Sequence, residues 1–86
     1  MGREKLVDFI RSYLSQMTNI PAAEFGMDEP LERYGLDSLA AVGLSGELSE
    51  LLNVDLNPEM AYEYPTISAI ADYVMGVIAP STHASV

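Results

Sequence analysis

Asp37-Ser38-Leu39-Ala40-Ala41-Val42-Gly43-Leu44-Ser45-Gly46-Glu47-Leu48-Ser49-Glu50-Leu51-Leu52 is the stretch that decides the fold. At about 100° per residue, Ala41, Leu44, Leu48, Leu51 and Leu52 fall within one arc about 100° wide, the apolar stripe of a core-facing helix. Asp37 supplies an N-cap whose carboxylate can accept from the free amides of the first turn, and Asn53 supplies a left-handed stop. The spacing therefore predicts a helix from Asp37 or Ser38 to Leu52.

The far side of that helix is unusual. Ser38, Val42, Ser45, Gly46 and Ser49 lie there, with Leu39 on the flank and Glu47 and Glu50 at the border. A face that meets only water is more often filled with Glu, Lys and Arg. A small, uncharged and partly apolar face suits close approach by another protein, although Leu39 and Val42 could equally pack beneath the loop that precedes them. Gly43 and Gly46 each cost roughly 1 kcal/mol of helix stability relative to Ala, which either a partner's approach or simple tolerance would explain.

Outward from this helix the periodicity stays helical. Upstream, Leu6, Phe9, Ile10, Tyr13, Leu14 and Met17 recur at three- and four-residue steps on one face. Met17 to Glu29 contains Asn19, Pro21, Gly26 and Asp28 and reads as a long loop pinned by Ile20 and Phe25. Pro30 opens a single turn, Leu31 to Tyr34, closed by Gly35 in the left-handed conformation. Downstream, Asn57-Pro58 opens a short helix that must end before Pro65. Thr66 then caps a last helix with Ile67, Ile70, Ala71, Val74 and Ile78 on its apolar stripe. Nothing alternates with period two. The fold class expected is all-α: a small antiparallel four-helix bundle, three main helices and one short, with a long first loop. Its boundaries are 3–78, and 79–86, with Pro80, Ser81, Thr82 and Ser85, reads as a flexible linker or tail that suggests excision from a larger chain.

Composition bounds what such a domain can do. The chain has 86 residues, 49% of them hydrophobic, which means one modest core and excludes a large enzyme with its own cofactor domain. It contains no Cys, so disulfides, thiolate metal sites and a cysteine nucleophile are excluded, in keeping with a cytoplasmic location. No run approaches the roughly 18 apolar residues of a membrane span. Thirteen acids stand against four bases, and Arg3, Lys5, Arg11 and Arg33 are all in the first 33 positions. The remainder is uniformly acidic, repelling nucleic acid and anionic lipid and favouring partners with basic docking patches.

The sharpest local signal is Tyr34-Gly35-Leu36-Asp37-Ser38-Leu39, a serine hydroxyl at a helix start beside a capping carboxylate. A catalytic serine needs a base and oxyanion donors. The one His is His83, in the tail, and no Lys follows Lys5. Gly35 to Leu39 does not match G-x-S-x-G, and at Ser45 the closing Gly is replaced by Glu47. Ser38 is thus not an autonomous nucleophile. A phosphodiester placed on it by a separate enzyme would meet free amides and the positive end of the helix dipole. A plain helix-start serine fits the residues as well. Asp55, Asn57 and Glu59 imitate the start of a calcium loop, but Met60 and Thr66 occupy its Gly and closing Glu positions, so no metal site is expected. Asp28, Glu29, Glu32 and Asp37 read as a solvated acidic rim.

The chain resembles the acyl carrier proteins, in particular the carrier domains of polyketide synthases. The resemblance runs from about Leu6 to Ile78. It rests on Gly35-Leu36-Asp37-Ser38-Leu39, on Val42 and Leu48 behind it, and on Tyr62-Glu63-Tyr64-Pro65-Thr66. It implies that Ser38 is the attachment site of 4′-phosphopantetheine, transferred from coenzyme A by a phosphopantetheinyl transferase. The arm's thiol then carries acyl groups as thioesters. It implies a capping and transferase-recognition role for Asp37, and a partner face of Leu39, Val42, Gly46, Glu47 and Glu50. Acyltransferase, ketosynthase and other polyketide or fatty acid synthase domains would be the partners of a non-catalytic monomer that binds neither nucleic acid nor membrane.

Gly43 departs from the family where an acid is frequent, Ser45-Gly46 depart where charge is frequent, and Asn53 replaces a usual Gly. Two alternatives stay open. A peptidyl carrier of a nonribosomal peptide synthetase would tend to show Gly where this chain has Leu36, and an unmodified helical docking module would use the Leu39/Val42 face alone.

Overall fold

The computed structural model describes residues 2–78, so the tail assigned to 79–86, with His83, lies outside the described residues. Four helices form: α1 (Arg3–Thr18), α2 (Ser38–Leu52), α3 (Met60–Glu63) and α4 (Ile67–Ile78). There is no strand among the described residues. Leu6, Ile10 and Leu14 of α1, Leu44 and Leu48 of α2, Met60 of α3, and Ile67, Ile70 and Val74 of α4 meet in one core and are fully buried. Here α1 packs chiefly on α4, and α2 chiefly on α3.

The punctuation residues act as their chemistry dictates. Asn19 and Asn53 take left-handed conformations at φ 61° and 55° and stop α1 and α2, and Gly35 does so at φ 80° after the turn Leu31–Tyr34. Thr66 Oγ1 accepts from the Ala69 amide at 3.1 Å, capping α4. Asn57 forms a tight turn, its Oδ1 accepting from the Glu59 amide at 2.9 Å, so α3 starts at Met60, later than the Asn57-Pro58 signal suggests.

The long loop is ordered by its own packing. Ala22–Glu24 makes a short 3₁₀ turn. Phe25 is buried in the core, with its ring centroid 4.6 Å from that of Tyr34, and its carbonyl accepts from Arg11 Nε at 3.1 Å. Two backbone bonds strap the loop to the head of α4. The Leu31 amide donates to the Pro65 carbonyl at 2.8 Å, and the Ser68 amide donates to the Met27 carbonyl at 2.9 Å.

Four sequence expectations are corrected. Met17, placed on the core stripe of α1, is 51% exposed at the end of that helix. Leu51, placed in the α2 stripe, is exposed, while Ser45, placed on the outer face, is buried and donates to the Val42 carbonyl at 2.6 Å. The buried arc of α2 is therefore rotated toward Ser45, because α3 covers the Ala41 side of the helix. Gly43 is required by this chain itself, since a Cβ there would collide with the Tyr13 hydroxyl.

Gly46 differs, with open space where a Cβ would stand. Gly46→Ala is therefore expected to stabilise the domain by about 1 kcal/mol, a rise of roughly 4–8 °C in Tm for a domain this size. Gly43→Ala is expected to give no such gain, because the Tyr13 ring must move. Thermal melts of the two variants check both; equal gains would refute the Tyr13 contact.

Candidate functional site

The loop, its terminal turn and α2 together set the position of Ser38. Tyr34 anchors the turn: its hydroxyl accepts from the Gly26 amide at 3.0 Å and donates to the Glu24 carbonyl at 3.4 Å. Gly35 then reverses the chain, and Asp37, extended at φ −90° and ψ 173°, caps α2. Its Oδ1 accepts from the Ala40 amide at 2.8 Å and its carbonyl from the Ala41 amide at 3.0 Å. Among the described residues, none accepts from the amides of Ser38 and Leu39.

Ser38 is the first residue of α2 and is exposed. Because Asp37 performs the capping, the serine hydroxyl is not consumed by it. The helix dipole and two first-turn donors face the same solvent, an arrangement that stabilises a phosphate ester. Among the described residues no group of three His, Asp or Glu side chains gathers to hold a metal. No helix among them is long and apolar enough to cross a membrane.

The residues assigned to a partner face, Leu39, Val42, Gly46, Glu47 and Glu50, are all exposed along one side of α2. Leu39 is 81% exposed, so it does not lie beneath the loop. Two grooves flank Ser38. One, about 310 Å³, runs between α2 and α3 along Leu31, Glu32, Ala41, Ala61 and Tyr62. The other, about 410 Å³, runs between the end of α1 and the start of α2 along Tyr13, Met17, Leu36, Asp37, Leu39 and Gly43.

Tyr13 was read in the sequence only as a core position. Its hydroxyl lies over Gly43 and donates to the Ala40 carbonyl at 3.4 Å. Burial raises the phenol pKa above 10.0, and the nearby carboxylates of Glu47 and Asp37 raise it further, so Tyr13 is a protonated donor at neutral pH. No signal in the local spacing reveals this contact. The missing side chain at Gly43 is the one trace of it, and that trace needs the α1–α2 packing to be interpreted.

A family profile described as phosphopantetheine attachment site matches residues 8–74. Polyketide synthase PksL of Bacillus subtilis is 35% identical over 69 residues, 80% of this chain and 2% of that protein's length. The crystal structure of a free-standing peptidyl carrier protein from Acinetobacter baumannii superposes with a TM-score of 0.80 at 30% identity, covering 86% of this chain and 92% of that one. The HMG-ACPI domain of the CurA module from Lyngbya majuscula shares the fold, with a TM-score of 0.81 at 18% identity over 94% of this chain and 82% of its own.

Proposed function

Because the chain belongs to the phosphopantetheine attachment-site family, and is a carrier domain whose prosthetic group is 4′-phosphopantetheine, we propose that Ser38 is the residue that bears the arm. The observation that supports this most is an exposed serine at the first position of α2 whose capping duty is taken by Asp37. In the transfer, Ser38 Oγ forms the new bond to phosphorus, the nucleotide half of coenzyme A leaves, and the serine proton passes to a base on the transferase. This chain then holds the ester, its Ser38 and Leu39 amides facing the phosphate. The arm supplies a terminal thiol for thioesters, which a chain without Cys does not itself possess.

The acyl units are those of polyketide (or fatty acid) assembly, and the partners are a phosphopantetheinyl transferase and the acyltransferase, ketosynthase and other synthase domains. The domain catalyses nothing alone and works in a reducing cytoplasm. PksL, a polyketide synthase, supports the polyketide reading. The Acinetobacter structure gives the peptidyl carrier reading a specific footing. Offering the arm-bearing protein malonyl and aminoacyl units from their respective loading enzymes separates the two. Malonyl transfer alone is expected, and aminoacyl transfer alone would replace polyketide by peptide assembly.

Leu39, Val42, Gly46, Glu47 and Glu50 form the docking face. Val42 is half-exposed, so Val42→Asp is expected to leave Tm nearly unchanged. It should raise the transferase KM by roughly tenfold or more, since a charge replaces an apolar contact on an acidic face. A large fall in Tm with an unchanged KM would make Val42 a structural residue.

A further inference from the structure

We propose that the groove between the end of α1 and the start of α2 receives a neutral acyl chain bearing a hydroxyl or keto oxygen, with Tyr13 donating to that oxygen. The proposal rests on Ser38 being the attachment point. The groove is continuous with that point: Asp37 and Leu39, the two neighbours of Ser38, both line it, as does Leu36. Its volume of about 410 Å³ falls in the range of small-ligand sites.

The lining chemistry identifies the occupant. Met17 and Leu39 are large apolar side chains left 51% and 81% exposed on its walls, and an aliphatic chain lying between them would remove both from water. Gly43 leaves the floor clear of any side chain and lets the Tyr13 hydroxyl rest there. That hydroxyl has one acceptor among the described residues, the Ala40 carbonyl at 3.4 Å, a long and weak bond. It is therefore available to a better acceptor that enters the groove.

The nearest charges to the phenol are carboxylates, Glu47 and Asp37, which disfavour a chain ending in a free carboxylate and leave a neutral oxygen as the match. Covalent tethering at Ser38 raises the effective concentration of the chain to the millimolar range, so weak contacts suffice. The α2–α3 groove is smaller and adds the carboxylate of Glu32 to its lining, a poorer place for an aliphatic chain.

The test loads the protein, through a broad-specificity phosphopantetheinyl transferase, with the bare arm, a hexanoyl arm or a 3-hydroxyhexanoyl arm, and maps the addition to Ser38 by mass. NMR then reads the Met17 methyl and the amides of Tyr13, Leu39 and Gly43. Both acyl forms are expected to shift Met17, Leu39 and Gly43 relative to the bare arm, with a further shift at Tyr13 for the hydroxylated chain alone. Tyr13→Phe should remove that difference while keeping the other shifts. Gly43→Ala, which drives the ring toward the groove, should reduce all of them. Loaded protein with resonances matching the bare arm, or with shifts at Ala61 and Tyr62 instead, overturns the groove assignment and leaves the attachment reading standing. No added mass at Ser38 overturns both.

Discussion

Ser38→Ala is expected to lose phosphopantetheine uptake completely while keeping its fold and its Tm within a few degrees. Both halves follow from how α2 begins. Uptake requires the hydroxyl oxygen of residue 38, and Ala has none. Stability does not require it, because the cap of α2 is the Asp37 carboxylate, bonded to the Ala40 amide at 2.8 Å. Ala is also the best helix former, and Ser38 is exposed, so nothing packed is lost. The contrasting variant is Asp37→Ala, which removes the cap and is expected to destabilise by about 1 kcal/mol. Circular dichroism melts, run beside the uptake assay, check this. A Ser38→Ala protein that unfolds would show that the hydroxyl has a structural role.

Phe25→Ala is expected to have the largest effect on stability, a loss of about 3–5 kcal/mol. Phe25 is 1% exposed, belongs to the same core as Leu6 and Ile10, and packs its ring on Tyr34. Against the roughly 5–15 kcal/mol that holds a domain of this size, such a loss is severe. At roughly 4–8 °C per kcal/mol, Tm should fall by about 15 °C or more. The consequence also reaches the site. Tyr34 closes the turn before Gly35 and Asp37, so a loop released at Phe25 no longer fixes where Ser38 stands. Slower phosphopantetheine uptake at temperatures where the variant remains folded is the expected companion result, read from initial rates. A Tm drop of only a few degrees would show that the loop does not depend on this ring.

What the sequence made legible was what short-range chemistry determines. Asp37, Asn53, Gly35 and Thr66 place helix ends through bonds and dihedrals that involve residues at most a few positions away, and the structure shows those bonds and dihedrals. The all-helical fold follows from them together with the apolar stripes. Serine at the start of α2 was visible on the same grounds, but its chemistry was not, since a helix-start serine and an attachment serine have the same local pattern. Choosing between them needed a resemblance that spans most of the chain.

Long-range packing produced the differences. Ser45 is buried and Leu51 exposed because α3 sits to one side of α2, a placement that helical periodicity does not contain. Met17 continues the apolar spacing of α1 past the point where a core exists to receive it, and lines a groove with Leu39. Gly43 admits the Tyr13 hydroxyl from 30 positions upstream, a relation that only the α1–α2 contact reveals.

The central claim is that this chain is a carrier loaded at Ser38, and intact mass tests it most directly. Wild type and Ser38→Ala are each incubated with coenzyme A and a broad-specificity phosphopantetheinyl transferase, with folding verified in the same samples. A single phosphopantetheine on wild type and none on Ser38→Ala is the predicted result. An unchanged mass for folded wild type, or equal addition to Ser38→Ala, would contradict it.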